Sequence, residues 1–307
     1  MATQTHVPAI HVVVPTFNRD ALLARTIRSL SASSPPSVPV TTWIVENGKR
    51  GKAAEIALQA ATWLNARYRF CEAGNKSAAL NMVLSEIEEG LVTFFDDDVR
   101  VVEGVLPSYA AAAAAAPEAS FFGGPFGVDY ETEPEPCIRR HLPASARGWE
   151  PSATALSPVD HVLGFNWAAW RHHIRDVGPF TTDRGPTATG RTPMGQESEM
   201  MWRLQRNGIA CRFVPSAKVW HYVPADRCDR AWVLERHYRK GMTEALASHT
   251  KPPTARLRRL GRWAALEIGF SVRESWRRNS DVKLDMECAL NYLAGYAFGR
   301  AEQSRRQ

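Results

Sequence analysis

Over the first hundred residues, short apolar runs alternate with segments of helical spacing. Residues 10–14 (IHVVV) run into Pro15 and read as a buried strand. Leu22, Leu23, Thr26, Ile27 and Leu30 then share one helical face, with Asn18 and Asp20 as candidate caps. Residues 31–39 form a Ser/Pro loop, and 40–46 a second strand that stops at Asn47-Gly48. Residues 52–66 have helical spacing and 68–71 make a short strand. Residues 76–89 predict a helix with Leu80, Val83, Leu84 and Ile87 inward and Gly90 as its stop. Residues 91–95 are another strand, running straight into Asp96-Asp97-Asp98. Strands alternating with helices predict an α/β fold with a mostly parallel sheet flanked by helices. Ligands of such sheets bind beyond the carboxyl ends of the strands. Three polar clusters fall there: residues 16–19, Glu46-Asn47, and residues 96–98.

Further on, the alanine run 110–116 predicts a helix, and the acidic, Pro-rich stretch 131–136 a loop. Residues 181–195, rich in Gly, Pro and Thr, read as a mobile loop ahead of Glu197 and Glu199, with a helix over 200–207 closed by Gly208. Residues 226–307 read as a helical extension to a body of residues 1–225. Within it Leu257, Leu260, Trp263, Ala264, Ile268 and Val272 follow helix spacing over 256–278, and the more apolar stretch 284–298 is expected to pack against that helix.

Charge sharpens this division. The 307 residues carry a formal net charge of +6, yet residues 226–307 hold 17 basic and 10 acidic side chains while the rest hold 21 and 22. A balanced body argues against a nucleic-acid groove across the whole surface, so no nucleic-acid partner is expected. A basic amphipathic extension has two readings: a solvated helical cap, or peripheral contact with an anionic membrane. The five cysteines are scattered and form no CxxC pair, which disfavours a zinc ribbon or disulfide framework. No basic segment leads into an apolar run at the start, and no apolar stretch approaches a membrane span, so the expected location is cytoplasmic, with the inner membrane face as the peripheral alternative. G-x-G-x-x-G, the P-loop and G-x-S-x-G are all missing, which disfavours dinucleotide, P-loop and hydrolase chemistry.

Three adjacent carboxylates repel one another unless something positive joins them. A hard divalent cation such as Mg²⁺ or Mn²⁺, which shares its sphere with phosphates, is one answer; a solvated acidic turn is the other. Glu197, next to a loop–helix junction, reads either as a cap favoured by the helix dipole or as a general base. His221 between aromatic residues reads as a packed core imidazole or as a metal ligand. Lys76 at a helix start is poorly placed for the dipole, which suggests an anion nearby or else a plain surface lysine.

In order, seven segments resemble the inverting family-two glycosyltransferases: VVVPTFNR (12–19), IVENG (44–48), GNKSAALN (74–81), FFDDD (94–98), GFNWAAWR (164–171), GQESEMMWRLQRNG (195–208) and PSAKVWH (215–221). The resemblance implies the GT-A fold over residues 1–225, with a donor-binding half of about 1–100 and an acceptor side of about 101–225. It implies a nucleotide-diphosphate sugar donor and a divalent metal. Pro15, Thr16, Asn18 and Arg19 would line the nucleotide pocket, Glu46 and Asn47 would meet the base, and Lys76 and Asn81 would face the donor. Asp96, Asp97 and Asp98 would be the DXD motif: Asp96 and Asp97 would bind the donor, Asp96 at the ribose or a metal-bound water, Asp98 would hold the metal on the diphosphate, and His221 would complete the metal site or touch the diphosphate. Asn166, Trp167, Glu199 and Trp202 would meet sugar or acceptor, and Glu197 would be the base, with Glu199 as its rival. The acceptor stays open among a glycan, a lipid-linked sugar, a peptide and a small metabolite. A nucleotidyltransferase, or a non-catalytic nucleotide-sugar-binding protein, are the competing functions on such a fold.

Overall fold

The computed structural model describes residues 9–183, 185–187, 195–247 and 280–306. The elements run β1 (Ile10–Thr16), α1 (Asp20–Ser31), β2 (Val40–Asn47), α2 (Ala53–Leu58), β3 (Arg67–Cys71), α3 (Lys76–Leu84) and β4 (Leu91–Phe95). Next come β5 (Val99–Val101), α4 (Val105–Ala115), β6 (Ser120–Gly123), β7 (Phe126–Tyr130), α5 (Pro136–Arg139), β8 (Asn166–Trp170) and α6 (Arg171–Val177). The last are α7 (Gln196–Arg206), β9 (Ala210–Phe213), β10 (Val219–Val223), α8 (Arg230–Ala247) and α9 (Ser280–Arg306).

Seven strands form one sheet in the order β3-β2-β1-β4-β8-β6-β9. β1 pairs in parallel with β2 and β4, and β2 with β3, as βαβ alternation requires. β8 enters antiparallel between β4 and β6, so the sheet is mixed but mostly parallel. Successive β1 residues feed opposite faces: Ile10, Val12 and Val14 join Leu23, Ile27 and Leu30 of α1 on one side, and Val13 joins Leu80 and Val83 of α3 and Met200 and Leu204 of α7 on the other. Each of these fully buried aliphatics contributes about 1.5–3 kcal/mol.

Several elements end elsewhere than the periodicity suggests. The 52–66 segment supplies only the short α2 and a single 3₁₀ turn, Thr62–Leu64. The helix expected over 76–89 ends at Leu84, although Ile87 is buried all the same and Gly90 takes the left-handed conformation. α1 has Arg19 at its N-cap with no side-chain cap; Asp20 instead accepts from the Lys52 amide (3.1 Å), and Asn18 sits at φ 54°. α7 begins at Gln196, four residues early, so both glutamates lie in its first turn.

The chain divides into two compact units, Met1–Asp129 with Gly148–Tyr222, and Tyr130–Arg147 with Val223–Gln307. The short 130–147 excursion thus joins the C-terminal helices. In that second unit α9 packs on α8 at backbone distance: a Cβ on Gly241 would fall 2.0 Å from the Tyr292 carbonyl oxygen, and one on Gly295 1.9 Å from that of Tyr238. Stretch 284–298 is helical as expected, with α8 as its neighbour; the helix expected over 256–278 lies outside the described residues. Among the described residues, no helix is long and apolar enough to cross a membrane.

Candidate functional site at the strand ends

β4 ends at Phe95, and the chain crosses through Asp96–Asp98 into β5, which belongs to a separate three-stranded sheet, β5-β10-β7. The crossing is anchored from both sides. The Thr26 hydroxyl of α1 reaches the Asp97 and Val99 carbonyls (2.8 and 2.7 Å), and the Tyr222 amide donates to the Asp98 carbonyl (2.8 Å). β10 pairs antiparallel with β5, placing His221 opposite Val99 and its ring beside Asp98.

The three carboxylates take three different environments. Asp97 is buried and accepts from Thr16 Oγ1 (2.7 Å) and Arg19 Nη1 (3.2 Å). Burial, with Asp98 alongside, pushes its carboxyl up to about 6 despite Arg19 and Thr16. Asp98 accepts from Arg19 Nη1 on Oδ2 (2.9 Å), while its buried Oδ1 has no hydrogen-bond partner among the described residues. His221 Nε2 stands 3.7 Å from that oxygen, and the imidazole stacks on Phe165 at 4.6 Å. Asp96 is drawn away to Lys76, whose Nζ donates to Asp96 Oδ1 at 2.5 Å and lies 2.7 Å from Glu197 Oε1. Burial works against the Lys76 ammonium, but Asp96 and Glu197 outweigh it and hold the amine charged.

A divalent ion fits this set. Asp98 Oδ1 is an orphaned buried oxygen, and His221 Nε2, too far from it for a hydrogen bond at 3.7 Å, would need to close by only about 0.7 Å for both to be neighbouring ligands of one octahedral ion with bonds of about 2.0–2.2 Å. Asp98 and His221 would hold it, and the remaining positions suit phosphate oxygens and water. As the structure stands, Asp96 pairs with Lys76 and is not beside these two.

Glu197 and Glu199 part company. Glu199 takes a bidentate pair with Arg203 (2.8 and 3.0 Å), whose guanidinium also caps the carbonyls of Val177, Gly178 and Pro179. Glu197 faces Lys76 and accepts from Gln196 Nε2 (2.7 Å). Gly195, at φ 101°, turns the chain into α7 in a conformation that only glycine takes readily. Trp202 stands 54% exposed on the same helix.

On the nucleotide side, Pro15 and Thr16 end β1 in register with Val45 and Glu46 of β2. The buried Glu46 carboxylate accepts from the Gly51 amide (2.5 Å) and the Tyr68 hydroxyl (2.7 Å), so it braces the 48–52 loop. Asn47 donates to the Thr16 carbonyl (3.3 Å) and keeps a buried Oδ1 without a partner among the described residues. Phe17, overlooked in the sequence, is 41% exposed at the β1–α1 turn, with Gly48 against its ring. The signal was there: an apolar residue between a strand end and a helix start has no core to enter.

Three expected contact residues make contacts within the fold. Asn81 clamps Phe180, donating to its carbonyl and accepting from its amide, both at 2.8 Å. Asn166 is buried, accepts from Tyr109 (2.7 Å), and donates to the carbonyls of Pro125 (3.1 Å) and Ala217 (2.8 Å). Trp167 is 0% exposed and stacks on Phe94 at 4.4 Å. Beta alternation explains the pair, since both faces of β8 are covered. Of the loop expected over 181–195, residue 184 and residues 188–194 lie outside the described residues; the part before them is tied down, with Asn75 donating to Thr182 O (2.9 Å) and the Lys76 amide to Pro186 O (3.2 Å).

Solved structures share this architecture. A mannosyltransferase from Pyrobaculum calidifontis, solved with GDP-Man and Mn²⁺, superposes with a TM-score of 0.61 at 16% identity, over 96% of this chain and 88% of that one. GalNAc-T7, solved with UDP, GalNAc and Mn²⁺, gives 0.54 at 12% identity over 82% of this chain and 53% of that one. S. aureus TarS gives 0.53 at 14% identity over 79% of this chain, which spans only 40% of TarS. At such identities the likeness shows the fold. No curated protein matches the chain. The model of "Glycosyl transferase family 2" matches residues 11–177, more than half of the chain, from the first strand past the acidic crossing to α6. The chain therefore belongs to glycosyl transferase family 2 and has the GT-A fold.

Proposed function

We propose that the protein moves a sugar from a nucleotide-diphosphate donor to an acceptor hydroxyl, with inversion and with a divalent metal at Asp98 and His221. The observation that carries this reading is the convergence, at one strand end, of an unpartnered Asp98 oxygen, His221, Lys76 and Glu197. A divalent ion held there supplies Lewis-acid stabilisation of charge growing on the departing diphosphate. The Lys76 ammonium adds fixed positive charge beside it. Phe17 offers a face to the nucleobase, and Asn47 Oδ1 an acceptor. Glu197 takes the proton of the attacking hydroxyl. In the free enzyme Glu197 Oε1 meets both Lys76 and Gln196, so a diphosphate that draws Lys76 away removes the ammonium that holds this carboxylate and makes it the better base, with Gln196 keeping it in place. A single displacement from the opposite face inverts the anomeric carbon. Mn²⁺ in two of the similar structures agrees with the metal.

The test is Glu197→Gln. Turnover should fall about 10²–10⁴-fold while donor affinity stays within a few-fold. Near-normal turnover would remove Glu197 from the role, and retention at the anomeric carbon, read by NMR, would remove the single displacement.

A further inference from the structure

The second unit holds a cluster that the donor site does not use. His141 follows α5, His237 lies on α8 and Cys288 on α9. One ligand atom from each lies within 4.8 Å of the other two. The imidazoles meet edge to face at 5.6 Å, and the Cys288 side chain is buried. We propose that these three residues bind a zinc ion, with water in the fourth position.

Three arguments support the site. First, the chemistry of the set is two imidazoles and a thiol, which selects a borderline-soft ion over Mg²⁺ or Mn²⁺. Second, both rings are already oriented from behind. His141 Nε2 lies 2.7 Å from Asp285 Oδ1 and 3.4 Å from Arg140 Nε, and Arg140 Nη2 holds the same Asp285 oxygen at 2.9 Å; the tautomer that donates to Asp285 carries its lone pair on Nδ1. His237 Nδ1 meets the Val233 carbonyl at 2.9 Å, which leaves Nε2. A carboxylate or carbonyl behind each histidine is the support that metal-bound imidazoles have. Third, bonds of about 2.0–2.3 Å in a tetrahedron need the three atoms to close by at most about 1.5 Å. The ligands come from three separate segments, so the ion would tie the 130–147 excursion to both helices of its own unit. Binding replaces the Cys288 S–H bond with an S–Zn bond and releases that proton to solvent.

The experiment uses the full chain, stripped with chelator and titrated with Co²⁺ as a spectroscopic stand-in and then with Zn²⁺. The expected result is one equivalent bound, a thiolate-to-cobalt charge-transfer band, displacement of that band by Zn²⁺, and a higher melting temperature. Cys288→Ser should abolish the band, and Asp285→Asn should weaken zinc binding about 10–100-fold. Asp98→Asn, which alters the proposed donor metal site, should leave the band intact. A wild-type chain without the band, or a Cys288→Ser chain that keeps it, would overturn the proposal.

Discussion

Gly164 has no side chain, and Glu197 fills the space one would need: a Cβ there would lie 2.5 Å from Glu197 Cγ. Gly164→Ala therefore has to push the carboxylate aside. We expect kcat to fall about 10²-fold, because displacing a base by about 1 Å costs that much, with donor affinity nearly unchanged. Unchanged kcat would mean that the position of Glu197 does not matter. At this scale the sequence was legible where chemistry and context conflict. Three adjacent carboxylates after a buried strand, or a lysine at a helix start, need an explanation that local structure does not supply. It was opaque where a polar side chain serves the backbone. Nothing in the letters announces that Asn81 and Asn166 each satisfy carbonyl or amide groups of distant segments. Asn81→Ala should lower stability by about 1–3 kcal/mol, read by denaturant melts.

The elements put these residues in place by their ends. β1, β2 and β4 are aligned in parallel register, so their carboxyl ends open on one side, and β10 adds His221 from another sheet. The strands were readable from β-branched runs. The early start of α7 was not, because Gly195 sits in a stretch without apolar period. Inside β1, the His11 ring accepts from Trp43 Nε1 on β2 (3.2 Å). Burial lowers its pKa, against the hydrogen bond the ring donates to the Glu89 backbone and with Arg67 adding to the fall. The folded state thus binds this proton less readily than the unfolded chain does. Stability from His11 is present above the ordinary histidine pKa of about 6.5 and is lost as pH falls below it. Melts of wild type and His11→Asn should converge as pH drops from 7.5 to about 5; parallel curves would contradict this.

For the whole molecule, the excess positive charge belongs to residues 226–307, and the proposed chemistry to the other unit. Charge sets residues 226–307 apart in the sequence, whereas residues 130–147 join the C-terminal helices through tertiary packing that no local pattern announces. The same is true of the glycines between α8 and α9. Gly295→Ala would drive a methyl into the Tyr238 carbonyl and should cost about 1–3 kcal/mol or more. Of the two readings of the basic extension, solvated cap or peripheral membrane contact, the second makes a direct prediction. The full chain should co-sediment with phosphatidylserine vesicles, lose that binding in high salt, and ignore neutral vesicles; equal binding to both would end the idea.

On the proposed reading, the Asp98 end of β4, with His221, binds a metal–diphosphate pair. Thermal melts with UDP or GDP, with and without Mn²⁺, test it most directly, since a ligand of the folded state raises its melting point. The account predicts a rise that needs both nucleotide and Mn²⁺ and disappears in Asp98→Asn. A wild-type chain that neither nucleotide stabilises in Mn²⁺, or an Asp98→Asn chain stabilised just as much, would contradict it.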